Sequence, residues 1–289
     1  MKALILAGPT AAGKTALAIE VAERFEAVVL SADAMQIYVG MDIGTAKTSR
    51  EDRDRVHHEG IDLRAPDQAF DAADFVSLAD QVLARFPRVV VAGGTSLYLK
   101  SMIRGLVATP PVDPELRAEL EALPDPHAEL MQVDPALAAR LHPNDRLRVV
   151  RGLEVFRATG QRLSSLHEEH ALAPDRVQAK GFWLDRDDLN ARIDARVLSM
   201  IQAGYVDEVR GLLERGYPRT LKPMLSLGYR HICDHVLDGL DLAEAITRTQ
   251  RDTRTFARKQ RNWMRVLEFD KLVDQSAEPV FRAAETLWG

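Results

Sequence analysis

The octapeptide GPTAAGKT, residues 8–15, follows the apolar run Leu4, Ile5, Leu6, Ala7 and matches in full the Gly-x-x-x-x-Gly-Lys-Thr pattern of a loop that holds phosphate. Gly8 and Gly13 let the loop's backbone N–H groups turn inward on an anion, and the start of a following helix adds partial positive charge. Lys14 neutralises phosphate oxygens, and the Thr15 hydroxyl is placed for Mg²⁺. All eight positions, Gly8, Pro9, Thr10, Ala11, Ala12, Gly13, Lys14 and Thr15, are therefore candidates for binding a diphosphate or nucleotide. The loop specifies polyphosphate and leaves the rest of the ligand open. A nucleoside triphosphatase needs a second carboxylate at a neighbouring strand end; after Val89, Val90 and Val91 that place holds Ala92 and Gly93, which weakens the ATPase reading. The strand-end carboxylate is Asp33, positioned to orient metal waters or accept a proton, or else to cap a turn before Ala34 and Met35. Gly93, Gly94 and Thr95 permit close backbone approach to a ligand, with the Thr95 hydroxyl able to bond a phosphate oxygen or an exocyclic amine; a structural turn explains the glycines nearly as well.

The elements that must hold these groups can be read from periodicity. Residues 4–7 read as a buried strand and residues 16–25 as a helix, through the spacing of Leu17, Val21 and Phe25. Further buried strands are predicted at 28–30, 89–91 and about 181–184. Continuous apolar runs alternating with helical segments predict an α/β chain built on a parallel sheet flanked by helices. In such a sheet, ligands bind beyond the carboxyl ends of the strands, where the Gly8 loop, Asp33 and Thr95 would meet. Prolines at 110, 111, 114, 124, 126, 135 and 143 punctuate a Leu/Ala-rich helical stretch. That pattern predicts a helical insertion over 113–175 within a core made of 1–112 and 176–289.

A formal charge of −5 over 289 residues argues against general nucleic-acid affinity, because phosphate contacts rest on Lys and Arg. The distribution argues otherwise. Residues 244–266 carry seven basic against two acidic side chains, and residues 140–162 six arginines against two acids. Arginines at 251, 254, 258, 261 and 265 fall on one face of a helix, with Phe256 and Trp263 off that stripe and placed to bury the other side. Such a row is either a solvated face or, lacking interleaved acids, a surface for an anionic partner such as RNA. The single cysteine, Cys233, excludes a disulfide framework within the chain and reads as a small buried hydrophobe. His57 and His58 lack a third partner for a metal. No run of about 18 apolar residues occurs, and a cytoplasmic protein is expected.

Six ordered stretches resemble the tRNA dimethylallyltransferases, also called tRNA isopentenyltransferases: GPTAAGKT, SADAMQIYVGMDIGTAK (31–47), AGGTSLYLK (92–100), LHPNDRLRVVRGLEVFRATGQRLS (141–164), LGYRHI (227–232) and TRTFARKQRNWMR (253–265). The resemblance covers nearly the whole chain. It implies a P-loop NTPase-like sheet with a helical insertion domain, and a reaction in which dimethylallyl diphosphate, not ATP, donates the group moved to the N6 amine of an adenosine beside the anticodon. It further implies Asp33 as general base, with Thr95 and Lys14 at the reaction centre and Mg²⁺ as the cofactor. The positions it implies for tRNA contact are Asp33, Ala34, Met35, Gln36, Thr95, Arg117, Gln161, Arg162, Leu163, Ser164, Ser165, Gly228, Tyr229 and Arg230; Arg254, Arg258 and Arg261 join them from the stripe. Ala12 and Ala34 stand where serine is frequent, Ser96 replaces a common glycine, and Thr48 a common proline. Eukaryotic members carry a C-terminal zinc finger that this sequence lacks, so a bacterial-type enzyme is implied; a monomer is expected. The competing readings of the same residues are a small-molecule or nucleotide kinase using ATP, with an Arg-rich helical lid, and a non-catalytic RNA-binding protein.

Overall fold

Strand β1 (Lys2–Ala7) is apolar and buried at every position after its first, so neither of its faces can meet water. That is the condition of a central strand in a parallel sheet. In the computed structural model, which describes residues 1–272 and 276–289, β1 pairs in parallel with β4 (Val89–Gly93) and β5 (Gln178–Leu184). Outward from these lie β2 (Val28–Ser31), then β3 (His58–Glu59), and on the far side β6 (Asp270–Leu272). The order is β3-β2-β4-β1-β5-β6 with every pairing parallel.

The two-residue period of the strands divides their side chains between two cores. Ala3, Ile5 and Ala7 join Leu30, Val89 and Val91 under helices α3 (Ala72–Arg85), α4 (Ser96–Arg104), α11 (Tyr205–Glu214) and α12 (Tyr229–Asp238). Leu4 and Leu6 join Val29, Val90, Phe182 and Leu184 under α1 (Lys14–Phe25), α10 (Leu189–Gln202) and α14 (Glu278–Trp288). The 23-residue helix α13 (Leu242–Met264) contributes Ala245 and Met264 to the first core and Ala257 to the second. The short α2 (Arg50–Arg55) starts where the Ser49 hydroxyl accepts the Asp52 N–H.

The chain divides into two compact units, Met1–Ile103 with Arg176–Gly289, and Arg104–Asp175. The smaller unit contains α5 (Pro114–Glu121), α6 (Pro126–Val133), α7 (Pro135–Ala138), α8 (Arg146–Thr159) and α9 (Leu163–Ala171). Three of its prolines begin helices rather than merely interrupting them. Asp113, Asp125 and Asp134 cap α5, α6 and α7 through their carboxylates, and Pro114, Pro126 and Pro135 occupy the first helical position, where no N–H is needed. Leu120, Leu130, Leu137, Val149, Leu153 and Leu163 make its separate core.

Two strands of the sheet, β3 and β6, are absent from the sequence reading. His58–Glu59 and Asp270–Leu272 are edge strands of two and three residues with charged side chains. Such edges carry no apolar run to reveal them.

Candidate active site

The loop between β1 and α1 folds as a phosphate cradle. Gly13, at the helix N-cap, has φ 100°, a backbone state that a side chain disfavours. Thr10, Ala11, Gly13, Lys14 and Thr15 line a cavity of about 870 Å³, whereas Gly8, Pro9 and Ala12 are buried off its wall. Lys14 donates from Nζ to the Pro9 carbonyl at 2.7 Å. Burial pushes its ammonium down to about 8; the Asp33 charge opposes that shift and the Arg196 charge adds to it. Thr15 is exposed on the cavity wall, and its hydroxyl has no hydrogen-bond partner among the described residues.

Asp33, Ala34, Met35 and Gln36, from the end of β2, and Gly94 and Thr95, from the end of β4, line the same cavity. Asp33 Oδ1 accepts the Met35 N–H at 2.9 Å, and Thr95 Oγ1 accepts the Ala34 N–H at 3.0 Å. The second bond leaves the Thr95 hydroxyl proton free to donate. Burial raises the Asp33 carboxyl above its ordinary range, against the Met35 N–H, the Lys14 charge and the Gln36 N–H, which favour the anion. The arrangement pairs a partly buried carboxylate, the form best suited to accepting a proton near neutrality, with a cationic cradle for phosphate.

Three residues of the site escape the sequence reading. Gln260 of α13 is buried; its Oε1 accepts the Thr10 N–H at 2.9 Å and its Nε2 donates to the Gly94 carbonyl at 3.0 Å. A Cβ at position 94 would collide with that amide, so Gln260 itself requires a glycine there. The Thr10 N–H is thus already bonded and is not offered to an anion. On α10, Arg192 donates to the Ala11 carbonyl at 3.0 Å. Arg196 lines the cavity with no ion-pair partner among the described residues, its guanidinium lowered by burial and by Arg192. The available signals were an Arg-x-x-x-Arg spacing around the buried Ile193, and a glutamine on the Ala257–Gln260–Met264 stripe.

The sequence model described as IPP transferase matches residues 36–266. The chain belongs to this family. It is 47% identical over 274 residues to the tRNA dimethylallyltransferase of Geobacter metallireducens, covering 91% of this chain and 89% of that protein. The structure is similar to the tRNA isopentenylpyrophosphate transferase of Bacillus halodurans, with TM-score 0.71 and 32% identity over 99% of this chain and 96% of that one. A eukaryotic dimethylallyltransferase acting on tRNA shares the fold, with TM-score 0.81 and 23% identity over 94% of this chain and 73% of that one. The family and the P-loop NTPase-like parallel sheet agree with the resemblance carried by the six motifs.

The residues that the resemblance assigns to tRNA contact are placed unevenly in this family member. Gln161, Arg162 and Ser165 are exposed on the smaller unit, but Leu163 lies in that unit's core and Ser164 is buried. The Ser164 N–H and hydroxyl both donate to the buried Asp134, at 2.9 and 2.6 Å, so its side chain secures α7 to α9. Arg117 is committed to Glu154, donating to both carboxylate oxygens at 2.5 and 2.9 Å. Tyr229 is buried with its hydroxyl on Glu208, and Arg230 pairs with Asp252. The arginine stripe differs from its reading in two respects. Arg254 pairs with Asp194, and Arg261 with Asp185 and the Arg186 carbonyl, so acids from elsewhere in the chain interleave with it. Phe256 and Trp263 remain 41% and 49% exposed, and the face that α13 buries is Ala245, Thr249, Ala257, Gln260 and Met264.

Proposed function

We propose that this chain transfers a dimethylallyl group from dimethylallyl diphosphate to the exocyclic N6 amine of an adenosine next to the anticodon of tRNA, releasing diphosphate. The observation that carries the reading is one cavity lined by both Lys14 of the phosphate loop and the partly buried carboxylate of Asp33, in a chain of the IPP transferase family. The amine nitrogen forms a bond to the allylic carbon as the carbon–oxygen bond to diphosphate breaks. Lys14 and the unbonded N–H groups of the loop receive the charge that develops on the departing oxygens, fixed in place before the bond breaks.

The adenine amine is a weak nucleophile because its lone pair is delocalised into the ring. Asp33 takes its proton as the new bond forms, a role that contributes on the order of 10²–10⁴ in rate. The Thr95 hydroxyl, with its proton free, orients the amine or the diphosphate. The free Thr15 hydroxyl would hold a magnesium ion, which would supply further charge neutralisation for the diphosphate; no cluster of three His, Cys, Asp or Glu is found among the described residues. An unpaired anticodon-loop base leaves its stack at a cost of only a few kcal/mol. Incubation with tRNA and dimethylallyl diphosphate, followed by nucleoside mass analysis, tests the reading. One prenyl unit gained on adenosine supports it; transfer of the γ-phosphate of ATP, with unmodified tRNA, overturns it.

A further inference from the structure

Glu208 on α11 receives four donors. Its Oε2 accepts the backbone N–H groups of Asp42 at 2.8 Å and Ile43 at 2.6 Å; its Oε1 accepts the N–H of Gly44 at 3.1 Å and the Tyr229 hydroxyl at 2.6 Å. Three consecutive amides converging on one anion form a backbone nest, here filled by the chain's own carboxylate, and bonds of this charge-assisted kind are stronger than neutral ones. Glu208 itself is not on the wall of the catalytic cavity, but the loop it holds is. Gly44, Thr45 and Ala46 line that cavity, and Asp42, Ile43, Ala46 and Lys47 line an adjoining one of about 910 Å³.

The other half of the loop reaches the catalytic strand end. The Thr45 and Ala46 carbonyls accept the Gln36 amide at 3.4 and 3.3 Å, and Gln36 Oε1 accepts the Ser31 hydroxyl at 2.9 Å. Ser31 and Gln36 bracket Asp33. The loop is also blocked from moving toward α11, because the buried Tyr205 hydroxyl stands only 2.5 Å from where a Cβ of Gly44 would lie. A packed helix is thus tied, through residues 42–46, to the segment that carries the proposed base.

We propose that Glu208 is a positioning residue for the transfer, holding loop 42–46 and, through Gln36, the Asp33 segment in the geometry that the reaction needs. The inference rests on the transfer reading above. Glu208→Gln is isosteric and keeps one acceptor oxygen, but turns an NH₂ group toward at least one of the three loop amides. Three quantities are compared between wild type and variant: hydrogen exchange at amides 42–44, the Kd of dimethylallyl diphosphate, and kcat for tRNA prenylation.

The expected result is at least about tenfold faster exchange and at least about tenfold lower kcat, with donor Kd within about threefold, since residues 8–15 are untouched. General damage to the fold would weaken donor binding and kcat together, and that outcome overturns the proposal. So does faster exchange with kcat unchanged. Glu208→Asp, which retains the charge at shorter reach, supplies the same three readouts should Glu208→Gln not fold. Wild-type protein that binds the donor but leaves tRNA unmodified overturns the transfer reading itself, and this proposal with it, before any variant is compared.

Discussion

Replacing Gln260 by leucine keeps the volume of the side chain and removes both arms of the bridge between the phosphate loop and the Thr95 loop. The Thr10 N–H and the Gly94 carbonyl then lose partners at 2.9 and 3.0 Å. A buried backbone group left without a partner costs about 1–3 kcal/mol, so the two together cost about 2–6 kcal/mol if nothing moves. The loops are not obliged to stay. By parting slightly they admit water and recover much of that cost, and the recovery is made at the expense of the distance between Lys14 and Thr95. Loss of about 2.7 kcal/mol of transition-state stabilisation corresponds to about a hundredfold in rate, which is the fall expected in kcat/KM for Gln260→Leu. Gln260→Glu should do no better, because its second oxygen would face the Gly94 carbonyl where an N–H now donates. The assay is transfer to tRNA under steady-state conditions, with a thermal melt beside it. Transfer within threefold of wild type and an unchanged melting temperature for Gln260→Leu would refute the claim that this bridge aligns the two halves of the site.

Asp33→Asn should reduce transfer at least about a hundredfold while tRNA binding stays near normal; a loss below tenfold in a nucleoside assay removes Asp33 as base. In wild type the base must be deprotonated, and burial raises its carboxyl, so kcat should fall on the acid side at a higher pH than an exposed aspartate would give. That limb should be absent in the residual activity of Asp33→Asn. Burial pushes the Lys14 ammonium down to about 8, and only the ammonium form attracts diphosphate. Donor affinity should therefore fall as pH rises through about 8, and a titration series with Lys14→Arg, whose guanidinium stays charged, should be flatter. Arg117→Ala should destabilise the protein by about 1–3 kcal/mol in a denaturant melt, because the buried Glu154 loses one of its two arginines and keeps Arg151; unchanged stability would return Arg117 to the surface role. Arg258, whose one hydrogen-bond partner among the described residues is the Thr255 hydroxyl, should give the largest loss of tRNA affinity among Arg254, Arg258 and Arg261. Its Ala variant should also reduce the slope of log affinity against log salt by about one.

The parts of the fold that can be read from the sequence are those whose physics is local. A strand buried on both faces shows as an unbroken apolar run, and a glycine loop that must turn inward shows as its glycines. Hence β1, β2, β4 and β5, the phosphate loop and Asp33 are all legible. The edge strands β3 and β6 are not, since two or three mostly polar residues at a sheet margin owe their conformation to a neighbour far away in the chain. Gln260 is hidden for the same reason: its partners Thr10 and Gly94 are 250 and 166 residues distant, and no local pattern distinguishes a bridging glutamine from one facing water. The Asp-Pro pairs at 113, 125 and 134 lie between these cases. Proline alone reads as a break, whereas proline preceded by a capping carboxylate reads as a helix start.

Charge behaves in the same way, and here the difference bears on function. Counted along the sequence from Arg251 to Arg265, five arginines have only Asp252 among them. Counted in space, Asp252, Asp194 and Asp185 neutralise Arg251, Arg254 and Arg261, so much of the apparent basic stripe is spent within the protein. Arg196 was never part of that stripe, yet it stands unpaired among the described residues on the wall of the same cavity as Lys14, with Asp33 as the carboxylate opposing Lys14. A chain of net charge −5 therefore places an arginine with no ion-pair partner among the described residues beside Lys14 on the cavity where, on the proposed reading, diphosphate departs. On the proposed reading, an anionic ligand offsets on binding the cost of burying Lys14 and Arg196, whose charged forms burial disfavours. A site that served only to anchor RNA phosphates at the surface would have no need to desolvate its cations first.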